Sequence, residues 1–334
     1  MLEVERLIAL ADNVGRVRLE QNIHYMGSDF PIYSFAFGSQ NLSDPCLTII
    51  GGVHGLERVG TNVVLAYMNT VIELLHWDSV FQNTLKNCRL LFYPLVNPVG
   101  MFLKKRANSN GVDLMRNAPV ESPSSNFFML PSGQRLSSKL PWYRGRKNSP
   151  MEQEAQALCN FMERETFKST RCISIDVHSG YGMRDRLWFP YAKSTDVFPN
   201  ITEVLALKKL LQKTYQHHIY KIEPQSQHYT THGDIWDYLY EKRKSENSGL
   251  FLPFCLEMGS WLWIKKNPMQ AFSSSGIFNP TVIHRLKRTL RRHILLFDFF
   301  IKAINSPQQW HCLESKDKEK IYNESIKKWY IKSA

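Results

Sequence analysis

Two periodicities alternate along the chain. Apolar residues recur at helical spacing over 58–76 (RVGTNVVLAYMNTVIELLH), over 150–166, over about 200–217 and again from 280 to 305. Between them lie short continuous apolar runs: IYSFAFG (32–38), CLTIIGG (46–52), CRLLFYPLVNP (88–98), RCISIDVHSG (171–180) and FLPFCLEMGSW (251–261). Runs of this length and content read as strands, buried on both faces. The first twenty residues, MLEVERLIALADNVGRVRLE, read as one amphipathic helix over 2–20. Residues 117–150 are rich in Ser, Pro and Gly and weakly periodic, which predicts a long loop region. YTTHGDIWDYLYEK (229–242) reads as irregular, and the lysine-rich segment 306–334 reads as a loosely attached polar tail. Strands alternating with helices predict an α/β sheet with helices on both faces, in one domain over 1–305.

Composition narrows this picture. The chain has 334 residues, 43% of them hydrophobic and 22% charged, which suffices for a large core. No run of about 18 apolar residues occurs, so no membrane span is expected. Charges at Glu3, Glu5 and Arg6 break the N-terminal apolar pattern, so it does not read as a secretory signal and a cytoplasmic location is expected. The six cysteines (46, 88, 159, 172, 255 and 312) form no C-x-x-C pair and read as reduced packing residues. The net charge of +12 raises the question of an anionic partner. The basic clusters at 104–106, 285–292 and 316–328 carry no nucleic-acid motif. Residues 285–292 read as the solvated face of a helix with Leu286, Leu290 and Leu295 behind it. An acidic substrate or plain solubility explains the charge better than nucleic acid.

Chemistry in an α/β sheet collects at the carboxyl ends of the strands. GGVHGLERVG (51–60) leaves CLTII with His54 and Glu57 three apart, between glycines that let backbone approach closely. His178 ends the run SIDVHSG, and Glu257 ends FCLEMGS. A catalytic zinc takes about three ligands from His and carboxylate and keeps one position open. His54, Glu57 and His178 supply such a set, and Glu257 is a candidate to take a proton from water on the metal. A second H-x-x-E, His311 to Glu314, follows no strand and reads as chance. His217 and His218 read as helix surface, His232 as a turn residue near the site, and Trp236, Trp261 and Trp263 as pocket wall and core.

With these residues the chain resembles the zinc carboxypeptidase family, in which an H-x-x-E pair and a distant histidine bind zinc and a later glutamate is the base. Glu57 and His178 are 121 residues apart, within the family's range. RANSNGVDLMRN (106–117) is similar to the family's R-x-N-x-x-x-x-D-x-N-R-N. The resemblance implies that Arg106 polarises the scissile carbonyl, that Arg116 grips a terminal carboxylate, and that Asp113 orients the first zinc histidine. YTTHGDIWDY is similar to the segment carrying the tyrosine that closes over substrate, which nominates Tyr229. The matching motifs run from about 32 to 265. They imply a mixed, mostly parallel central sheet, one zinc ion per chain, and a peptide or acyl-amino-acid substrate, including acidic ones.

One position departs from the pattern: Met115 stands where the family has an asparagine beside the carboxylate-binding arginine. The amide half of that clamp is missing, which admits an amidase acting on a differently placed acidic group. The expected function is a zinc metallocarboxypeptidase or related peptide amidase. The alternative is an aspartoacylase-type N-acyl amino-acid amidohydrolase, and a third reading is a non-enzymatic binding member. The third would need a lost ligand or base, and none is lost.

Overall fold

The fully apolar runs lie side by side in the middle of one sheet. The computed structural model describes residues 2–123, 130–246 and 249–331. Its strands are β1 (Arg16–Tyr25), β2 (Ser28–Gly38), β3 (Cys46–Gly51), β4 (Arg89–Tyr93), β5 (Arg171–Ser179), β6 (Arg186–Phe189), β7 (Lys221–Pro224) and β8 (Leu250–Met258). They form one eight-stranded sheet in the order β1-β2-β4-β3-β5-β8-β6-β7. The central four, β4-β3-β5-β8, are mutually parallel, and antiparallel pairs join β2 to β4 and β6 to β8. The sheet is therefore mixed with a parallel heart, and β3, β4 and β5 are buried almost throughout, as parallel strands covered on both faces must be.

Helices supply that cover. They are α1 (Leu2–Ala11), α2 (Arg58–Trp77), α3 (Gln153–Thr166), α4 (Ile201–Thr214), α5 (Ile235–Ser245), α6 (Ile283–Asn305) and α7 (Ser315–Trp329), with shorter turns between. One layer joins α2 and α6 over β3 and β5, and another joins α3 and α5 against β1 and β8. No helix among the described residues is long and apolar enough to cross a membrane.

Four readings need correction. The expected helix over 2–20 ends at Ala11, and Arg16–Tyr25 forms β1 instead. A two-residue turn at Met26 and Gly27, both with positive φ (49° and 76°), closes a hairpin onto β2. The segment expected to be irregular holds α5, because the Asp234 side chain accepts from the amides of Trp236 and Asp237 and starts a helix. His217 and His218 lie beyond the last residue of α4 rather than on its surface. The lysine-rich C-terminal segment folds back as α7 against α4. It is anchored by buried Trp310 and Trp329 and by a Lys209–Glu324 ion pair. Of the long loop region, residues 124–129 lie outside the described residues. The rest carries a bridge between Gln134 and Tyr143.

Candidate active site

The first two site residues come from one tight turn. β3 ends in Gly51, and Gly52 adopts φ +68°, where the Thr61 hydroxyl leaves no room for a Cβ. At Gly55 a Cβ would stand 2.0 Å from the Gly100 carbonyl carbon, so only glycine lets the turn press on that backbone. The Glu57 amide donates to the His54 carbonyl at 3.1 Å, and α2 begins at the next residue. His54 and Glu57 thus face the same way at the carboxyl end of β3. His178 lies near the end of the neighbouring strand β5, and Glu257 is its register partner on β8.

The structure brings the expected ligands together. His54 Nδ1 lies 2.8 Å from Glu57 Oε1, His178 Nδ1 lies 3.1 Å from Glu57 Oε2, and the two Nδ1 atoms are 3.2 Å apart. All three residues are buried, and one ligand atom from each falls within 4.8 Å of the others. Both histidines turn Nδ1 inward and give their outer nitrogen to a carboxylate: His54 Nε2 to Asp113 Oδ1 at 3.1 Å, and His178 Nε2 to Asp176 Oδ2 at 2.8 Å. This carboxylate–imidazole arrangement is how proteins orient metal histidines, so two nitrogens and a carboxylate here fit a zinc ion.

The surrounding charges support the same use. Burial alone would raise the Glu57 carboxyl, but the imidazoles of His54 and His178 hold it well below the usual carboxylate range. Burial likewise opposes the charge on Asp113, and Arg106 and His54 outweigh it. Arg106 donates Nε to Asp113 Oδ2 at 2.9 Å and reaches Glu57 Oε1 with Nη1 at 3.3 Å. Glu257 behaves differently: burial, then the charge on Glu57, pushes it up to about 8. Its Oε2 is buried without a hydrogen-bond partner. A divalent cation among the ligands would offset the Glu57 charge and restore Glu257 as a base.

Arg116 and Tyr229 border this centre. Arg116 is buried, and among the described residues its guanidinium makes only long contacts, 3.3 Å to the Met115 carbonyl and 3.5 Å to the Pro131 carbonyl. Its own carbonyl lies against Gly233, where a Cβ would approach to 1.9 Å. Tyr229 is half-buried, 6.1 Å from the Trp188 ring and 6.4 Å from the Tyr181 ring. Burial pushes its hydroxyl up to about 12, and it feels the charges of Arg116, Glu257 and Arg106. Met115 is buried among the core residues, and its amide donates to Asp113 Oδ1 at 3.1 Å. His232 lies beside the loop region, its Nδ1 accepting from the Ser122 amide at 3.0 Å.

Two residues here have roles that the sequence does not assign. Asp176 stands two before His178 on one strand, so the two side chains share a face. Trp236, at the start of α5, donates its indole N–H to Asp176 Oδ2 at 2.9 Å. The alternation in SIDVHSG carried the signal for Asp176. The sequence places Trp236 only as pocket wall or core, since its bond to Asp176 depends on where α5 starts.

A buried His–Glu–His cluster at the carboxyl ends of a mixed sheet, with an unpaired carboxylate beside it, places the molecule in the class of the zinc metallohydrolases. Residues 25–261 match the zinc carboxypeptidase family, and the chain belongs to that family. Carboxypeptidase SOL1 of Arabidopsis thaliana is 36% identical over 77 residues, which are 23% of this chain and 16% of the relative. Among solved structures, thrombin-activatable fibrinolysis inhibitor superposes with a TM-score of 0.67 at 16% identity, over 90% of this chain and 73% of the other. Carboxypeptidase A from Helicoverpa armigera gives 0.66 at 15% identity, over 91% and 71%. At such identities the structural likeness speaks for the fold.

Proposed function

We propose that the chain is a zinc-dependent metallocarboxypeptidase or closely related peptide amidase. The observation that carries this reading is the register of a metal-type histidine on β5 opposite a glutamate on β8 whose buried Oε2 has no hydrogen-bond partner. His54, Glu57 and His178 would hold the metal, which when bound supplies a Lewis acid for the carbonyl and acidifies water. Glu257 accepts the proton of the attacking water and returns it to the leaving amine. Arg106, held in place by Asp113 and Glu57, presents its guanidinium to the carbonyl oxygen as charge builds there. Arg116 binds the acidic end of the substrate, and Tyr229 closes beside it. Because Met115 offers a thioether and lies in the core, Arg116 grips that end without a neighbouring amide.

Glu257→Gln removes the proton acceptor and little volume. It should keep zinc content and fold while turnover falls by about 10²–10⁴-fold. Activity within about threefold of wild type would remove Glu257 from the base role. The same assay, run on a blocked dipeptide, its C-terminal amide and an N-acyl amino acid, distinguishes peptide from acyl-amino-acid hydrolysis. If Arg116 lacks its amide partner, Met115→Asn should raise kcat/KM for the free-acid dipeptide, chiefly through KM.

A further inference from the structure

Between Glu257 and Asp298 lie forty residues with seven Lys or Arg and no Asp or Glu. They leave β8 through a short helix at Trp261–Lys266, a tight turn at Pro268–Phe272 and another short helix at Ser274–Phe278, and then enter α6. Hydrogen bonds tie these pieces into one surface. The Thr281 hydroxyl donates to Gln270 Oε1 at 2.9 Å, and Arg285 Nη1 donates to the Trp263 carbonyl at 3.5 Å. At one border the Trp261 indole N–H donates to the Gly180 carbonyl at 3.0 Å, two residues beyond His178.

On α6 the buried residues Thr289, His293 and Leu296 mark the inner face. His284, Lys287, Arg288, Arg291 and Leu295 are exposed at spacings of three and four, so they form one outward stripe. Arg292 is held by Asp185 at 3.2 Å. Lys265, Lys266, Lys287, Arg288 and Arg291 are exposed and form no ion pair among the described residues. Cations gathered without counter-charges raise a positive potential that draws an anionic partner.

Large apolar side chains stand out of the same surface. Phe272 is 87% exposed, more than any other large apolar residue described, and Met269 is 73%, Ile283 72% and Trp261 48% exposed. Apolar exposure concentrated in one stretch marks a contact surface. At such exposures each side chain stands clear of its neighbours, so they offer knobs to insert rather than a groove for another protein's side chains. A nucleic-acid backbone would satisfy the cations and leave the knobs in water. A bilayer interface takes both: anionic headgroups meet the stripe, and the acyl boundary takes the apolar side chains. Trp261 is the residue type that settles at headgroup level.

We propose that residues 261–291 form a peripheral docking surface for a membrane carrying anionic lipid. Through the Trp261–Gly180 bond this surface adjoins the strand end that carries His178.

The test uses the zinc-loaded protein, sedimented with vesicles of phosphatidylcholine alone or of equal parts phosphatidylcholine and phosphatidylglycerol. Wild type should pellet with the anionic vesicles and stay in solution with the neutral ones, and potassium chloride should weaken the binding. A cation near such a surface contributes about fivefold, so Lys287→Gln, Arg288→Gln and Arg291→Gln together should weaken binding about a hundredfold. Lys316→Gln, Lys318→Gln and Lys320→Gln on α7 remove the same charge outside this surface and should leave binding within about threefold of wild type. Met269→Ser with Phe272→Ser keeps every charge and should weaken binding about tenfold. All variants should keep the melting temperature and zinc content of wild type, because the side chains changed are exposed. The vesicle and salt comparisons are read on wild type itself, so they decide the matter even if a variant folds poorly. The proposal is overturned if wild type ignores the anionic vesicles, or if the α7 changes cost as much as the α6 changes, which would mean overall charge alone. It is also overturned if the Met269 and Phe272 changes cost nothing while a DNA duplex binds as tightly as the vesicles, which would assign the surface to nucleic acid.

Discussion

Asp176 Oδ2 accepts two hydrogen bonds, from His178 Nε2 and from the indole of Trp236, while Oδ1 is buried without a partner. The carboxylate thus fixes the imidazole that must present Nδ1 to the metal, and a residue of α5 fixes the carboxylate. Asp176→Asn keeps the shape and removes the charge, so zinc affinity should fall by about 10–100-fold. Competition with a chromogenic chelator measures this directly, without reference to turnover. Unchanged affinity would show that Asp176 does not orient His178. The ligands themselves were legible in the sequence because each follows a strand-like run, and chain order alone puts such positions at one end of a sheet. Asp176 was half-legible through strand alternation. Trp236 depends on where α5 starts, and that is decided by a single capping carboxylate, Asp234.

At the scale of elements, long buried strands and long helices could be read, and short or edge elements could not. β6 and β7 have four residues each, too few for a period to show. β1 is an edge strand with mixed burial, and its polar positions continued the helical pattern of α1 past Gly15. The helix α6 illustrates a buried polar position inside a strongly amphipathic element. His293 is fully buried there, with Nδ1 3.0 Å from the Tyr220 hydroxyl. Burial, opposed by Asp185 and aided by Arg292, lowers its pKa from 6.5 to about 4. As pH falls, the unfolded chain takes up this proton first. The contribution to stability is therefore complete above about pH 6.5 and is lost as pH falls toward 4, for a total of about 3 kcal/mol. Urea midpoints at pH 7 and pH 5 should show wild type losing more stability than His293→Gln on acidification. Equal losses would place the acid sensitivity elsewhere.

For the whole molecule, the C-terminal segment is the part whose role the sequence hid. Its composition is that of a solvated tail, yet two tryptophans nineteen residues apart, Trp310 and Trp329, hold it down. The Trp329 ring lies 4.9 Å from Phe189 of β6, and its indole N–H donates to the Ile222 carbonyl of β7 at 3.2 Å. A chain ending at Asn305 should melt at lower temperature and scatter light on standing, because Phe189 and Phe198 lose their cover. Melting and scattering identical to the full chain would show that α7 is dispensable. The same contact bears on the rims of the sheet. A strand at a rim carries backbone groups that invite another chain to pair with it. β7 is short and one of its carbonyls is occupied by Trp329. At the other rim β1 carries a register shift between Leu19 and Gln21, with Arg16 and Arg18 exposed. Neither rim offers a long, flat, uncharged template, so both disfavour growth of this sheet by edge-to-edge pairing of copies.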